Sequence, residues 1–452
     1  MPHPVPTYVP LFVHTQPDTP IAFSRGVTID AHRYLADVRA LADRLPDTLE
    51  VLNACGDRYS FAVGLGAALV RGQRTLLPAN HAPATLDRLA REHPGLHALT
   101  DTLGPEMALP CIGVASDGDP KATPFDVPAI PRERVAAVLF TSGSTGEPVP
   151  TAKSWGALVT SGRSEAAALE LGALPGLVIL GTVPPQHSYG FESTVLLPLQ
   201  NGFALDAGRP FFPADVCAAL AALPRPRMLV TTPVHLRALC ASDEVLPGAD
   251  LILSATAPLA PQLAAEAEQR FHAPVKEIYG CSEAGQLATR RLLGSAQWRL
   301  MRDVSLRQDD LGTWASGGHV PGNILLADVI ELVDRQHFIL HGRTADLVNI
   351  AGKRTSLAHL DLQLNTIDGV QDGAFLMPDE DSGRIVRPMA FAVAPGRTAR
   401  EIVAALQQRI DPAFLPRPLH LVDALPRNAT GKVPREALLA LAARLRTDRA
   451  PS

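Results

Sequence analysis

The sequence predicts an α/β protein in two parts: a large N-terminal domain of layered sheets and helices, and a small α+β C-terminal domain. Three observations carry this. Through about the first 340 residues, short apolar runs alternate with helix-patterned stretches, the texture of parallel strands joined by helices. From about Asn323 the pattern changes to a hairpin followed by helix, strand and helix. The 452 residues are 46% hydrophobic and 19% charged, enough for more than one core and far from a disordered polyelectrolyte.

Taken in order, residues 31–49 space their apolar side chains for an amphipathic helix, and 48–53 read as a strand. A helix is expected over 60–69, then a strand in RTLLPAN from Arg74. Strands follow at 228–232 and 251–255, a helix at 261–271, and a strand at 275–280. ILLADVIELVDRQHFILHGR reads as a hairpin turning at 334–336. The tail offers a helix through Ile402, Val403, Leu406 and Ile410, a strand in PLHLV, and a last helix opening at Pro434. A boundary near Arg343 divides the chain into 1–343 and 344–452. The 41 prolines imply many fixed turns.

A net charge of −5 provides no global basic field for nucleic acid or an anionic membrane. Cys55, Cys111, Cys217, Cys240 and Cys281 form no CxxC pair, which argues against a zinc ribbon and for a reducing compartment. The proline-broken first twenty residues lack the basic start of a signal peptide. The most apolar stretch, from Leu174, is well short of the roughly 20 residues that span a bilayer. A cytoplasmic protein without a membrane span is expected.

The sharpest motif is an apolar run, 135–140, leading into Thr141, Ser142, Gly143, Ser144, Thr145 and Gly146. Glycines let the backbone approach an anion closely, and hydroxyls with N–H groups supply donors to phosphate oxygens. A flexible linker would not usually sit directly behind a buried strand. The pattern is not GxxxxGK[ST], which sets the chain apart from ordinary P-loop NTPases.

With three further motifs in order, the chain resembles the adenylate-forming superfamily of acyl-CoA synthetases, luciferases and nonribosomal-peptide adenylation domains. TSGSTG resembles that family's phosphate loop, Tyr279-Gly280-Cys281-Ser282-Glu283 its YGxTE motif, and Asn428-Ala-Thr-Gly-Lys432 the loop of its catalytic lysine. Asp328 and Arg343, fifteen residues apart, match its ribose-binding pair. The resemblance implies attack by a carboxylate on the α-phosphorus of ATP, expelling pyrophosphate and leaving an acyl-adenylate. Charge builds on the phosphoryl oxygens, so donors, a cation and Mg²⁺ are needed.

In that reading the 141–146 loop cradles the β- and γ-phosphates, Glu283 holds Mg²⁺, and Ser282 donates to the α-phosphate. Lys432, on a mobile small domain, reaches both the substrate carboxylate and the α-phosphate. His187, in PPQHSYGFES, lies beside the carboxylate and helps exclude water from the mixed anhydride. Ser254, Ala255, Thr256 and Ala257 resemble the turn that packs the adenine and one wall of the acid pocket. Tyr189, Phe191, Tyr279 and Cys281 fall where the resemblance puts that pocket, and their character suits a flat ring. Gly352 is the glycine that lets a pantetheine arm approach after the small domain rotates.

The chain also departs from the family. The usual GxPK becomes Gly146-Glu-Pro-Val-Pro-Thr-Ala-Lys153, making Lys153 the candidate to replace the missing lysine by a longer route. The ribose motif keeps only its acid, Asp328. Ala345 stands where the family hinge generally has Asp or Lys, with Asp346 next.

TSGSTGEPVPTAKSW, PPQHSYGFES and LVNIAGKR are most similar to ligases of bacterial aryl-polyene and xanthomonadin-type pigment clusters. Those load an aromatic acid such as a hydroxybenzoate onto an acyl carrier protein. Arg417, Arg427, Lys432, Arg435, Arg444, Arg446 and Arg449 outnumber Asp423, Glu436 and Asp448 near the C-terminus, which would suit an acidic carrier. A short chain without an appended carrier is expected to be free-standing. The alternatives are an aryl- or acyl-CoA synthetase using free CoA, and a non-catalytic adenylate-binding relative. An amino-acid substrate is less expected, since its ammonium has no evident acidic partner in the sequence.

Overall fold

A computed structural model describes residues 7–102, 109–142, 148–350, 353–378, 387–428 and 431–447. Two large sheets dominate the N-terminal part. In the six-stranded sheet, Glu50–Asn53, Arg74–Leu77, His97–Thr100, Cys111–Gly113 and Val135–Ser142 are mutually parallel. Pro148–Ser154 closes its edge antiparallel to Val135–Ser142. The eleven-stranded sheet has a parallel centre formed by Ala204–Asp206, Val178–Gly181, Arg227–Thr231, Leu251–Ser254 and Val275–Cys281. After Cys281 the pairing turns antiparallel through Gly285–Arg290, Trp298–Leu300, His337–Arg343 and Asp328–Leu332.

The expected boundary at Arg343 falls on the last residue of this sheet. The C-terminal strands belong to a separate hairpin, Leu347–Ile350 with Lys353–Ser356, and a three-stranded sheet. That sheet, Asp372–Leu376, Met389–Val393 and Leu419–Leu421, has two apolar cores. One is closed by the helices Leu357–Asn365 and Ala399–Gln407, the other by Arg435–Thr447.

Most expected elements form within a few residues of their predicted ends, and local chemistry explains the differences. The first helix stops at Arg44 instead of continuing to 49, because Leu45 precedes Pro46 and takes extended geometry. The second runs Arg58–Arg71, capped by the Asp57 side chain and by Gly72 at φ 76°. Pro261–Phe271 forms as expected. The helix beginning at Ala399 carries a Thr398/Glu401 capping box but ends at Gln407, so Ile410 is buried from a turn beyond it. In the 328–343 hairpin, the Asp334 carboxylate accepts the Gln336 and His337 N–H groups at 2.7 and 2.8 Å and fixes the turn.

Candidate active site

Ser254, His187 and the Tyr279–Glu283 segment lie at or just beyond the carboxyl ends of parallel strands, where an open α/β sheet leaves its crevice. Leu251–Ser254 delivers a fully buried Ser254 whose hydroxyl has no partner, and the chain then turns through Thr256 at φ 79°. That conformation is costly for a β-branched residue and marks a turn held by its surroundings. Val178–Gly181 leads to His187, which precedes a short helical turn, Ser188–Phe191, and a π-helical turn, Glu192–Leu196. The turn is tight: a Cβ on Gly190 would lie 2.0 Å from the Pro184 carbonyl oxygen.

A residue unforeseen from sequence holds this segment. Arg58 is fully buried, and its guanidinium donates to the carbonyls of Gly181 and Val183 (both 3.0 Å), Asp206 (2.9 Å) and Gly208. Its Nε donates to Thr194 Oγ1 at 2.8 Å. Burial lowers its pKa only to about 10, so the clamp stays charged. The planar guanidinium joins two strand ends on either side of the His187 segment.

His187 is half-buried and its pKa is lowered to about 4, first by burial, then by the fields of Lys432, His81 and Arg209. It is therefore neutral at physiological pH. These electrostatic partners bring together residues distant in sequence. Lys432 in turn feels Arg343, Asp328 and Glu283. Enclosure and Arg343 lower its pKa, while the two carboxylates act in the opposite direction.

On the nucleotide side, the Asp328–Arg343 spacing has a simple cause: the two are opposite partners across the antiparallel hairpin. Tyr279 is buried and donates its hydroxyl to Asp328 Oδ2 at 2.8 Å, its ring packed against Trp298 and Phe338. Gly280 sits at a register shift in the Tyr279 strand, where a Cβ would come within 2.3 Å of the Gly285 carbonyl oxygen. This bulge presents Ser282 and Glu283, both half-buried. Lys153 is almost fully buried, and its Nζ donates to the Glu283 carbonyl at 3.2 Å. Its visible role is to anchor the turn carrying Glu283.

Among the described residues no three His, Cys, Asp or Glu side chains cluster to hold a metal. One carboxylate still fits Mg²⁺, which usually keeps several waters and binds substrate phosphates alongside one or two carboxylates. Glu283 would hold it, and the ion would supply charge to neutralise the phosphates.

The C-terminal domain docks its lysine loop over this crevice. Asn428 Oδ1 accepts the Lys432 N–H and the Asn428 N–H reaches the Lys432 carbonyl, both at 2.9 Å. Gly431, at φ 77°, lies against the first residues of Pro233–Ala241: a Cβ there would be 3.4 Å from Val234 and 3.5 Å from Thr232. Beside it Asp372 takes both Arg427 (2.6 Å) and, across the domains, Arg237 (3.3 Å).

Not every expected residue is brought into the site. Phe191, placed in the acid pocket from sequence, belongs to the core, fully buried with its ring centroid 6.0 Å from that of Phe61. Two residues along a helical turn face roughly 200° apart, so Tyr189 and Phe191 point to opposite sides. Tyr189 donates to the Leu253 and Thr231 carbonyls at 2.9 and 3.2 Å, beneath the strand ends. Ala255 and Cys281 pack on the same core, and burial pushes the Cys281 thiol up to about 11. Ala257 follows the Thr256 turn. The Thr141 and Ser142 backbone extends the Val135–Ser142 strand; their side chains lie outside the described residues, as do Gly143, Ser144, Thr145, Gly146, Gly352 and the side chain of Ala345. Besides Arg58, sequence reasoning missed His81, Glu165, Glu192, Gln286 and His319. Only Glu192 had a signal, lying inside PPQHSYGFES.

Residues 47–322 match the model of the AMP-binding enzyme family, and 363–432 match the AMP-binding enzyme C-terminal domain. A 4-coumarate–CoA ligase of Rhodobacter capsulatus is 29% identical over 312 residues, covering 68% of this chain and 77% of that protein. A second 4-coumarate–CoA ligase, from Halorhodospira halophila, is 29% identical over 306 residues, 65% of this chain and 73% of its own. Among solved structures, ATP-bound MatB from Rhodopseudomonas palustris superposes with a TM-score of 0.80 at 18% identity, covering 96% of this chain and 97% of that one. The o-succinylbenzoate CoA synthetase of Bacillus subtilis with its acyl-adenylate gives 0.78 at 19%, covering 94% and 96%. With residues 47–322 and 363–432 matching these models and CoA ligases among its relatives, the chain belongs to the AMP-binding enzyme family and is an ATP-dependent acid–thiol ligase.

Proposed function

We propose that the protein activates an aromatic carboxylic acid, of hydroxybenzoate type, to its acyl-adenylate and passes the acyl group to a phosphopantetheine thiol. The observation carrying the reading is the packing of the Asn428–Lys432 loop, through Gly431, against Thr232 and Val234 at the end of a strand next to the one that leads to His187. A carboxylate oxygen attacks the α-phosphorus, the new O–P bond forms, and pyrophosphate leaves. Lys432 holds the carboxylate and α-phosphate together as charge develops, and neutral His187 packs beside the anhydride. A thiolate then attacks the acyl carbon and AMP departs. The parts on either side of Arg343 act as two domains.

For the acceptor, the 4-coumarate–CoA ligase relatives support free CoA at least as well as a carrier protein. The carrier reading rests on the exposed Arg417, Arg435, Arg444 and Arg446; Arg427 is committed to Asp372. Pyrophosphate release should be measured across benzoates, cinnamates and fatty acids, and thioester formation with CoA against holo-carrier protein. Benzoates or cinnamates are expected to lead; a fatty-acid preference would overturn the aromatic assignment. Thioester formed only with the holo-carrier would select the carrier reading.

A further inference from the structure

Below Tyr189 lies a group of buried polar side chains that the adenylation chemistry does not use. Glu165, on the helix Trp155–Ala168, is fully buried, and among the described residues neither carboxylate oxygen has a hydrogen bond of good geometry, although Ser193 and Gln286 lie close enough to favour its charged form. Ser193 and Gln286 are its polar neighbours, but the Gln286 amide N–H₂ donates to Ser193 Oγ at 2.9 Å, leaving Gln286 Oε1 unpartnered too. Glu192, by contrast, is satisfied: Ser161 and Ser188 each donate to it at 2.9 Å. His319, also buried and with neither ring nitrogen in a hydrogen bond of good geometry among the described residues, lies near the Gln286 backbone and shares the space over Gly285 with Glu192. A Cβ on Gly285 would stand 3.1 Å from the His319 ring and 3.8 Å from Glu192 Oε2.

Buried polar atoms normally find partners, so several orphans in one place call for a missing group. Gln286 Oε1 can only accept, and Glu165, kept protonated by burial, offers an acceptor oxygen beside its O–H, so a group that can donate meets both. Ser188, next to His187, donates to Glu192, whose other oxygen lies beside Gly285 and the His319 ring. Tyr189 stands two residues from His187 at one end and feels the Glu165 carboxyl at the other.

We propose that Glu165, with Gln286 and His319, forms the polar far end of the acid pocket and accepts a hydrogen bond from a hydroxyl or amino group on the substrate ring. This rests on the aromatic-acid reading above. It excludes a bare or methylated ring, which would leave the acceptors unpaired.

The test measures kcat/KM for pyrophosphate release on hydroxybenzoates, aminobenzoates, methylbenzoates and benzoate, using the intact protein and Glu165→Gln, Glu165→Leu and Gln286→Leu. The native protein should prefer its best hydroxyl or amino acid over the methyl isostere by about 100-fold or more. Glu165→Leu should bring that ratio below about 10-fold by losing activity on the polar acid, with Glu165→Gln in between. Should Glu165→Leu not fold, Glu165→Gln and Gln286→Leu are read on the same ratio. A native ratio near one, or a ratio unmoved by the substitutions, overturns the inference and leaves these residues a structural or water-filled role. Absence of release with every aromatic acid, alongside release with aliphatic acids, instead overturns the aromatic reading itself.

Discussion

The two ends of the crevice are built on opposite principles. At the nucleotide end the polar groups are already paired: Asp328 faces Arg343 across a hairpin and accepts from Tyr279, and Lys153 holds the Glu283 carbonyl. At the acid end, Ser254, Glu165, Gln286 and His319 keep buried polar atoms without partners. A pre-paired end is organised before ligand arrives and suits a constant substrate. An end with orphaned acceptors gains its missing bonds only from the right ligand, which is how specificity is obtained. The Tyr189 segment joins the two and is itself clamped by Arg58.

Four experiments bear on this contrast, in descending order of expected effect. Lys432→Ala should cut acid-dependent pyrophosphate release by about 100–1000-fold, the loss typical of one transition-state cation or donor. Release at the native rate would remove Lys432 from the chemistry. Tyr279→Phe takes a hydrogen bond from Asp328, and should raise KM for ATP by roughly 10-fold with little change in the KM for the acid. An equal rise in both would deny that the paired end serves the nucleotide.

Third, the two ends carry opposite pH signatures. Burial raises Glu165 to about 8, so between 4.5 and 8 the folded protein keeps a proton that the unfolded chain releases. Stability from this group therefore falls as pH rises through that window. Burial and neighbouring cations lower His187 to about 4, so between 4 and 6.5 the unfolded chain binds the extra proton and stability rises with pH. Glu165→Gln should consequently be stabilising by about 1–3 kcal/mol near neutrality, more at pH 8 than at pH 5, in thermal melts. A difference from the native protein that does not change with pH would contradict the buried-proton assignment. The smallest effect is expected at the docking surface. Arg237→Ala removes one partly exposed ion pair to Asp372, and should slow adenylation by no more than about 5-fold in single-turnover assays.

How much of this was legible beforehand follows from the range of the interactions. The 328–343 hairpin is local, so its residue order carried its geometry, whereas the bulge at Gly280 and the closure of the Asn428–Lys432 turn appear only in the structure. Phe191 was misplaced because a sequence motif does not say which side of a helical turn each residue faces. Glu165 was invisible for a related reason: a glutamate on a helix ordinarily reads as a solvated face, and only the packing of that helix on Glu192–Leu196 and Gly285–Arg290 buries it. Arg58 fell outside the helix expected over 60–69, although it binds carbonyls more than a hundred residues away.

The sequence by itself determined the layered α/β class, the hairpin turning at 334–336, and the residue types that the family resemblance ties to adenylation. These depend on periodicity and on contacts within a few turns. The tertiary structure decided that Lys432 and His187 share one field, that Arg58 clamps the acid segment, and that Glu165 lies dry beneath it. Burial, and with it the charge state of each group, is a property of everything packed around a side chain, and no stretch of sequence contains its own surroundings.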